Sequence, residues 1–289
     1  MSKTVRARAP LRLGLYGGGT DVSPYCDEFG GVVINSTIDK YAYVTISERE
    51  DNNIAFRAED IKIQEKYSLN EFLESKSQLK LHKTIYLYMV EKYNHNNYIP
   101  LSITSYCEVP PGSGLGSSST LVVTIIKAFI EYFQVCLDDY QISKLAYKFE
   151  REICKINGGK QDHYAATFGG LNLMEFFDNN KVLVTPLKIK NWILCEFEAS
   201  LVLYFTGTSR DSSMIIDDQI SQYKLHSSNI LENMHLIKKE TYLFKEILLK
   251  GDFEKMSSSI RKSWISKKKT SQKISNENLD HMYESAISE

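Results

Sequence analysis

What the 289-residue chain lacks narrows its class before any motif does. No apolar run approaches the ~18–20 residues of a membrane-crossing helix, and residues 1–9 have no apolar core of the secretory type. An excess of one charge is missing too. The 35 Lys+Arg against 36 Asp+Glu leave a net charge of −1, which argues against a surface for nucleic acid or anionic membrane. The longest basic run is the three lysines at 267–269, which reads as a solvated helix face. Cysteine is sparse and scattered: Cys26, Cys107, Cys136, Cys154 and Cys195 form no CxxC and no Cys/His pairing. A disulfide scaffold, a zinc site and secretion are therefore unexpected, and the expectation is reduced thiols in a cytoplasmic protein. Internal repeats and low-complexity linkers are absent as well. What is present is the composition of an ordinary globular enzyme, 43% hydrophobic, 25% charged and 11% aromatic, with length for one large domain or two lobes.

Periodicity gives a mixed α and β chain that ends in helices. Residues 4–8, 31–47, 101–107, 171–177, 182–187 and 201–206 read as strands. Residues 69–93, 117–134 and 138–154 read as helices, the second apolar nearly all round and so expected to pack on more than one side. From about residue 213 onward the pattern is helical. Ten of the fifteen glycines fall in three clusters, at 17–19, at 112, 114 and 116, and at 158–159 with 169–170. Each cluster is flanked by Ser, Thr, Asp or Lys. Glycine gathers where backbone turns with positive φ or comes close to a ligand, so three such clusters point to a site as well as to turns.

The run Pro110-Pro-Gly-Ser-Gly-Leu-Gly-Ser-Ser-Ser119 lies between an expected strand and an expected apolar helix. Backbone N–H groups converging at such a loop, with the helix's positive end behind them, suit an anion. It has no Walker Gly-Lys-Ser/Thr ending and no G-x-G-x-x-G spacing. Its serines at 117–119 could also cap the helix. Glu150 shares an inward helical stripe with Ile142, Ala146 and Ile153, whereas Glu152 is turned away at ~100° per residue. A carboxylate there needs a cation, either a metal or a neighbouring Lys or Arg. Asp162 follows the Gly158-Gly159 turn, as a reactive group or as a turn residue. Near the amino terminus, Arg12 leads into Gly17-Gly18-Gly19-Thr20-Asp21, where a carboxylate after a glycine run could accept paired sugar hydroxyls.

On these residues the chain resembles the GHMP small-molecule kinases, the group of galactokinase, homoserine kinase and mevalonate kinase. Their second motif, Pro-x-x-x-Gly-Leu-Gly-Ser-Ser, is matched by Pro110 through Ser118. Glu150-Arg151, Gly158-Gly-Lys-Gln-Asp162 and the segment from Arg12 to Asp21 extend the likeness. The resemblance implies that Pro111, Gly112, Ser113, Gly114, Leu115, Gly116, Ser117 and Ser118 wrap the triphosphate of ATP. It implies Mg²⁺ on Ser118 and Glu150, with Ser117 the neighbouring possibility for the serine. Asp162 would take or orient the acceptor proton, with Arg12 by the reacting centre. Lys160 would add positive charge near the phosphate or keep the aspartate ionised. Thr20 and Asp21, with Gly18 and Gly19, would bind sugar. His163 stands where the family usually carries glutamine. If the sugar bears a phosphate, Arg210 is a candidate to hold it, or is a surface arginine beside a helix start.

The implied fold is α+β with two lobes, an S5-like βαβ amino-terminal lobe over 1–180 and a ferredoxin-like carboxy-terminal lobe over 181–289. The second lobe is expected to be incomplete. The family's third glycine-rich motif has no counterpart here, since the last glycine is Gly251. Weak or absent turnover is the matching expectation. The implied activity, that of the sugar-1-kinase branch, is ATP- and Mg²⁺-dependent phosphorylation of the anomeric hydroxyl of a heptose 7-phosphate, serving nucleotide-activated heptose and surface polysaccharide. The rival readings are the same chemistry on fucose or another hexose, and a ligand-binding form without turnover. Neither nucleic acid nor membrane is an expected partner, and a homo-oligomer is allowed.

Overall fold

The computed structural model describes residues 3–206, 212–224 and 228–288. Its elements in order are β1 (Thr4–Tyr16), α1 (Tyr25–Phe29), β2 (Gly31–Glu48), β3 (Asn53–Ala58), β4 (Ile63–Ser68), α2 (Lys80–Tyr93) and β5 (Leu101–Cys107). Then come α3 (Ser117–Phe133), α4 (Asp139–Tyr147), a π-helical turn (Lys148–Ile153), α5 (Gln161–Phe168), β6 (Leu171–Phe176), β7 (Val182–Pro186) and α6 (Asn191–Ala199). Helices α7 (Ser212–Lys224), α8 (Ser228–Lys250), α9 (Phe253–Lys268) and α10 (Glu277–Ser288) complete the described chain.

The chain packs into two compact units, residues 1–12 with 37–170 and residues 13–36 with 171–289. In the first, the strands run β4-β3-β5-β2, with β3 and β5 parallel and the other pairs antiparallel. Register sets Ile46 of β2 and Phe56 of β3 on either side of Ile103 of β5, and all three are fully buried. Helix α3 packs against α2, α4, α5 and β5, which satisfies the apolar surface it carries on nearly every side. In the second unit, residues 31–36 of β2 pair with β6, and β6 with β7. Tyr16 stacks on Phe244 at 4.7 Å between ring centroids, in a core with Ile34, Leu173, Phe197 and Leu248.

Several expected boundaries shift, each for a local reason. The strand expected over 4–8 runs on to Tyr16. The helix expected over 69–93 begins only at Lys80, and the hairpin β3–β4 precedes it. Strand β4 is an edge strand, Ile-Gln-Glu-Lys-Tyr-Ser, with only Ile63 and Tyr67 half-buried against the core, so its apolar signal is weak. The strand expected over 201–206 is neither strand nor helix, although Val202 is 89% and Tyr204 72% exposed. β-branched and aromatic residues make a strand only when a neighbouring strand takes up their backbone groups. The single helix expected over 138–154 is α4 followed by the π-helical turn. The wider turn keeps Glu150 buried but brings Ile153 out to 45% exposure, off the inward stripe. The two units divide after Arg12, Ser36 and Gly170, and not at one break near residue 180, because β1 and β2 each run from one unit into the other.

Candidate active site

The loop between β5 and α3 reverses on Gly112, Gly114 and Gly116, whose φ values of 75°, 79° and 75° lie in the left-handed region. Gly116 is the residue before α3, and no side chain caps that helix. The serines therefore do not serve as caps. The first N–H groups of α3 stay available to an anion, and no acidic side chain lies in its first turn to oppose one.

The hydroxyls go instead to Glu150. Ser118 Oγ donates to Oε1 at 2.5 Å, Ser119 Oγ donates to Oε2 at 2.6 Å, and His163 Nε2 lies 2.7 Å from Oε2. The Arg151 guanidinium stands 3.5 Å from the same oxygen. Glu150 is 1% exposed, and burial opposes its charge. The His163 contact, the Arg151 charge and the Ser118 hydroxyl outweigh that and hold its carboxyl well below the usual carboxylate range. Arg151 also donates to the carbonyls of Ile156 and Gly159 and to Ser119 Oγ. It thereby ties the loop after the π-helical turn to the start of α3.

Arg12 joins the glycine loop to the second carboxylate. Its N–H donates to the Leu115 carbonyl at 3.2 Å and its Nη1 to the Gly114 carbonyl at 2.6 Å. Its Nε and Nη2 both reach Asp162 Oδ1, at 2.7 and 2.6 Å. Asp162 Oδ2 faces Gly116, where an added Cβ would lie 3.5 Å from it, and accepts no hydrogen bond among the described residues. One short loop thus touches both acids, Asp162 at Gly116 and Glu150 at Ser118. Lys160, buried just before α5, has its Nζ 5.9 Å from the Tyr147 ring centre.

The amino-terminal motif belongs to the second unit. Gly17 and Gly31 let the turn lie against β2, because a Cβ on Gly17 would meet the Val32 carbonyl oxygen at 2.1 Å and one on Gly31 the Thr20 oxygen at 2.1 Å. Thr20 is fully buried, its hydroxyl within 2.8 Å of the carbonyls of Gly17 and Val32 and accepting from the Val32 N–H at 3.0 Å. Those contacts give Thr20 the work of holding the turn. Asp21, also buried, accepts from the Gly19 N–H at 3.2 Å, and Gly18 lies within the same turn. Arg210 lies outside the described residues. Sequence reasoning passed over Ser119 as a carboxylate partner and His163 as the partner of Glu150. The available signal was their adjacency to Ser118 and Asp162, since neighbours on a helix start can reach a common group.

Residues 80–170, which contain the loop and both acids, match the family described as GHMP kinases N terminal domain. The D-glycero-alpha-D-manno-heptose 7-phosphate kinase of Campylobacter jejuni is 46% identical over 285 residues, 99% of this chain and 83% of that protein. The chain belongs to the GHMP kinases. A solved D-glycero-D-manno-heptose 1-phosphate kinase from Bacteroides thetaiotaomicron is 44% identical, with a TM-score of 0.79 over 92% of this chain and 79% of that one. Methanococcus jannaschii mevalonate kinase, at 21% identity, shares the fold with a TM-score of 0.70 over 96% of this chain and 82% of its own. As a GHMP kinase the chain is a phosphotransferase, and GHMP kinases use ATP. Among the described residues no helix is long and apolar enough to cross a membrane.

Proposed function

We propose that this GHMP kinase transfers the γ-phosphate of ATP to the anomeric hydroxyl of D-glycero-D-manno-heptose 7-phosphate, giving the 1,7-bisphosphate. The observation that carries the reading is the Arg12–Asp162 pair fastened to the Gly114 carbonyl, beside a loop whose next serines bind Glu150. The likeness to a heptose 7-phosphate kinase over nearly the whole chain supports the choice of sugar.

Phosphoryl transfer needs positioning and neutralised charge more than covalent help. In this reading the backbone N–H groups of residues 112–118 and the start of α3 hold the phosphates, with Pro111 shaping the loop before them. Arg12 fixes Asp162 through Oδ1, and Oδ2 accepts the proton of the attacking hydroxyl. Lys160 contributes positive charge, and Asp21 with the Gly18–Gly19 backbone binds sugar hydroxyls. Mg²⁺ suits the oxygens present, a carboxylate and a hydroxyl 2.5 Å apart. Among the described residues no cluster of three or more His, Cys, Asp or Glu adds to them, so phosphate and water oxygens would complete its shell. When bound, the ion would neutralise charge on the phosphates. Ser118 and Glu150 are the residues that would hold it.

The test is ADP release with heptose 7-phosphate by the wild type and Asp162→Asn. A general base of this kind contributes roughly 10²- to 10⁴-fold, and a kcat loss of that size is the expected result. Equal rates would remove Asp162 from the mechanism. The same assay with heptose 1-phosphate, fucose and free hexoses decides the acceptor, and faster turnover of any of these than of the 7-phosphate overturns the substrate assignment.

A further inference from the structure

We infer that His163 is a positioning residue for the metal site: it holds Glu150 Oε2 so that Oε1 is the oxygen presented beside Ser118. The inference rests on the reading of Glu150 as a magnesium ligand and adds to it how the ligand oxygen is selected. The two oxygens of Glu150 are used differently. Oε2 takes Ser119 at 2.6 Å and His163 at 2.7 Å, with the Arg151 guanidinium 3.5 Å away. An ionised carboxylate oxygen has about two lone-pair sites, so Oε2 is saturated. Among the described residues Oε1 takes only the hydroxyl of Ser118, itself an exposed residue, and keeps a site open.

A carboxylate can only accept, so the proton between the two side chains belongs to His163 Nε2. The other ring nitrogen, Nδ1, is buried and has no hydrogen-bond partner among the described residues. The imidazole is 0% exposed and packs edge-on to the Tyr147 ring, with centroids 5.7 Å apart. An aliphatic side chain would fill that space without burying an unsatisfied nitrogen. The ring's one polar bond therefore goes to Glu150. Because α5 fixes His163 beside Asp162, the same short helix carries the proposed base and the group that orients the metal ligand.

The test compares ADP binding by calorimetry with and without Mg²⁺, in the full chain, for wild type, Glu150→Gln, His163→Leu, His163→Gln and His163→Asn. Removing a group that orients a metal ligand typically costs 10- to 100-fold in metal affinity. His163→Leu is accordingly expected to cut the tightening of ADP by Mg²⁺ by about tenfold or more, with metal-free ADP affinity unchanged. His163→Gln, whose amide N–H can replace Nε2–H, is expected to recover most of the loss. Full magnesium enhancement in His163→Leu overturns the inference, as does an equal loss in the Leu and Gln variants. If His163→Leu does not fold, His163→Asn, whose shorter amide does not reach Oε2, must show the loss, and an unchanged enhancement there overturns it equally. Enhancement that survives in Glu150→Gln overturns instead the underlying reading of Glu150 as a metal ligand.

Discussion

Arg12 shows how much one side chain can fix. Three nitrogens of a planar guanidinium are engaged, two on Asp162 Oδ1 and one on the Gly114 carbonyl, so the carboxylate and the loop share one rigid fork. Arg12 and Asp162 are only 13% and 18% exposed, which spares the pair the screening that weakens surface ion pairs. A lysine keeps the charge but offers a single ammonium on a flexible stem and cannot span both partners. Arg12→Lys is therefore expected to misplace Asp162 and to lower kcat by about 10- to 100-fold, since a misplacement of about 1 Å costs about that much. KM for ATP should change far less. Steady-state kinetics decide it, and a kcat within twofold of wild type would show that the fork is not needed.

At the scale of elements, the glycines divide into those that let backbone come close to backbone and those that make room for a side chain. Gly17 has φ of 80°, and an added Cβ would lie 2.1 Å from the Val32 carbonyl oxygen, which belongs to β2 and cannot step aside. Gly17→Ala should cost about 3 kcal/mol or more, combining left-handed strain with a displaced strand. Gly158 differs. Its Cβ would meet the end of the Arg151 side chain at 2.2–2.6 Å, and that end can swing away. Gly158→Ala should cost only about 1 kcal/mol, the scale of one lost hydrogen bond as the guanidinium re-forms its others elsewhere, yet lower activity by removing Arg151 from Ser119 and Glu150. Urea denaturation of both variants tests the contrast, and an order of stabilities opposite to this one would refute it. The same local rules explain what was legible in the sequence. Leu101–Cys107 and α3 are long, strongly patterned and bounded by glycine or proline, and they stand where periodicity puts them. Strand β4 and the π-helical turn were hidden, one because only Ile63 and Tyr67 of its six residues lean on the core and the other because a change of helical pitch leaves no mark in residue types. Glu150 was legible as an inward carboxylate, but its partners Ser119 and His163 come from other elements and depend on packing.

Across the whole molecule, the division of the chain was not legible, because strands shared by two units leave no linker composition to find. Nor did any motif point to His82, whose consequence appears only as stability. It sits on α2 with Nε2 2.9 Å from the Ser105 hydroxyl of β5, and it is 2% exposed. Burial pushes its pKa down to about 4, the charge of Glu65 opposing only in part. In the unfolded chain an imidazole titrates near ~6.5. Above that pH both states are neutral and the burial of His82 carries no penalty. As pH falls below it, the unfolded chain binds a proton that the folded one refuses, so stability is lost progressively until pH reaches about 4, where the folded state also takes the proton. At pH 5 the loss from this one group is about 2 kcal/mol. His82→Leu removes the titration while keeping the position apolar. Urea denaturation at pH 7.5 and pH 5.0 should then show the wild type losing about 2 kcal/mol more than the variant. The remaining acid groups, common to both proteins, cancel in that difference. An equal loss in the two proteins would mean that His82 is protonated in the folded chain at pH 5, and that water or a carboxylate reaches it there.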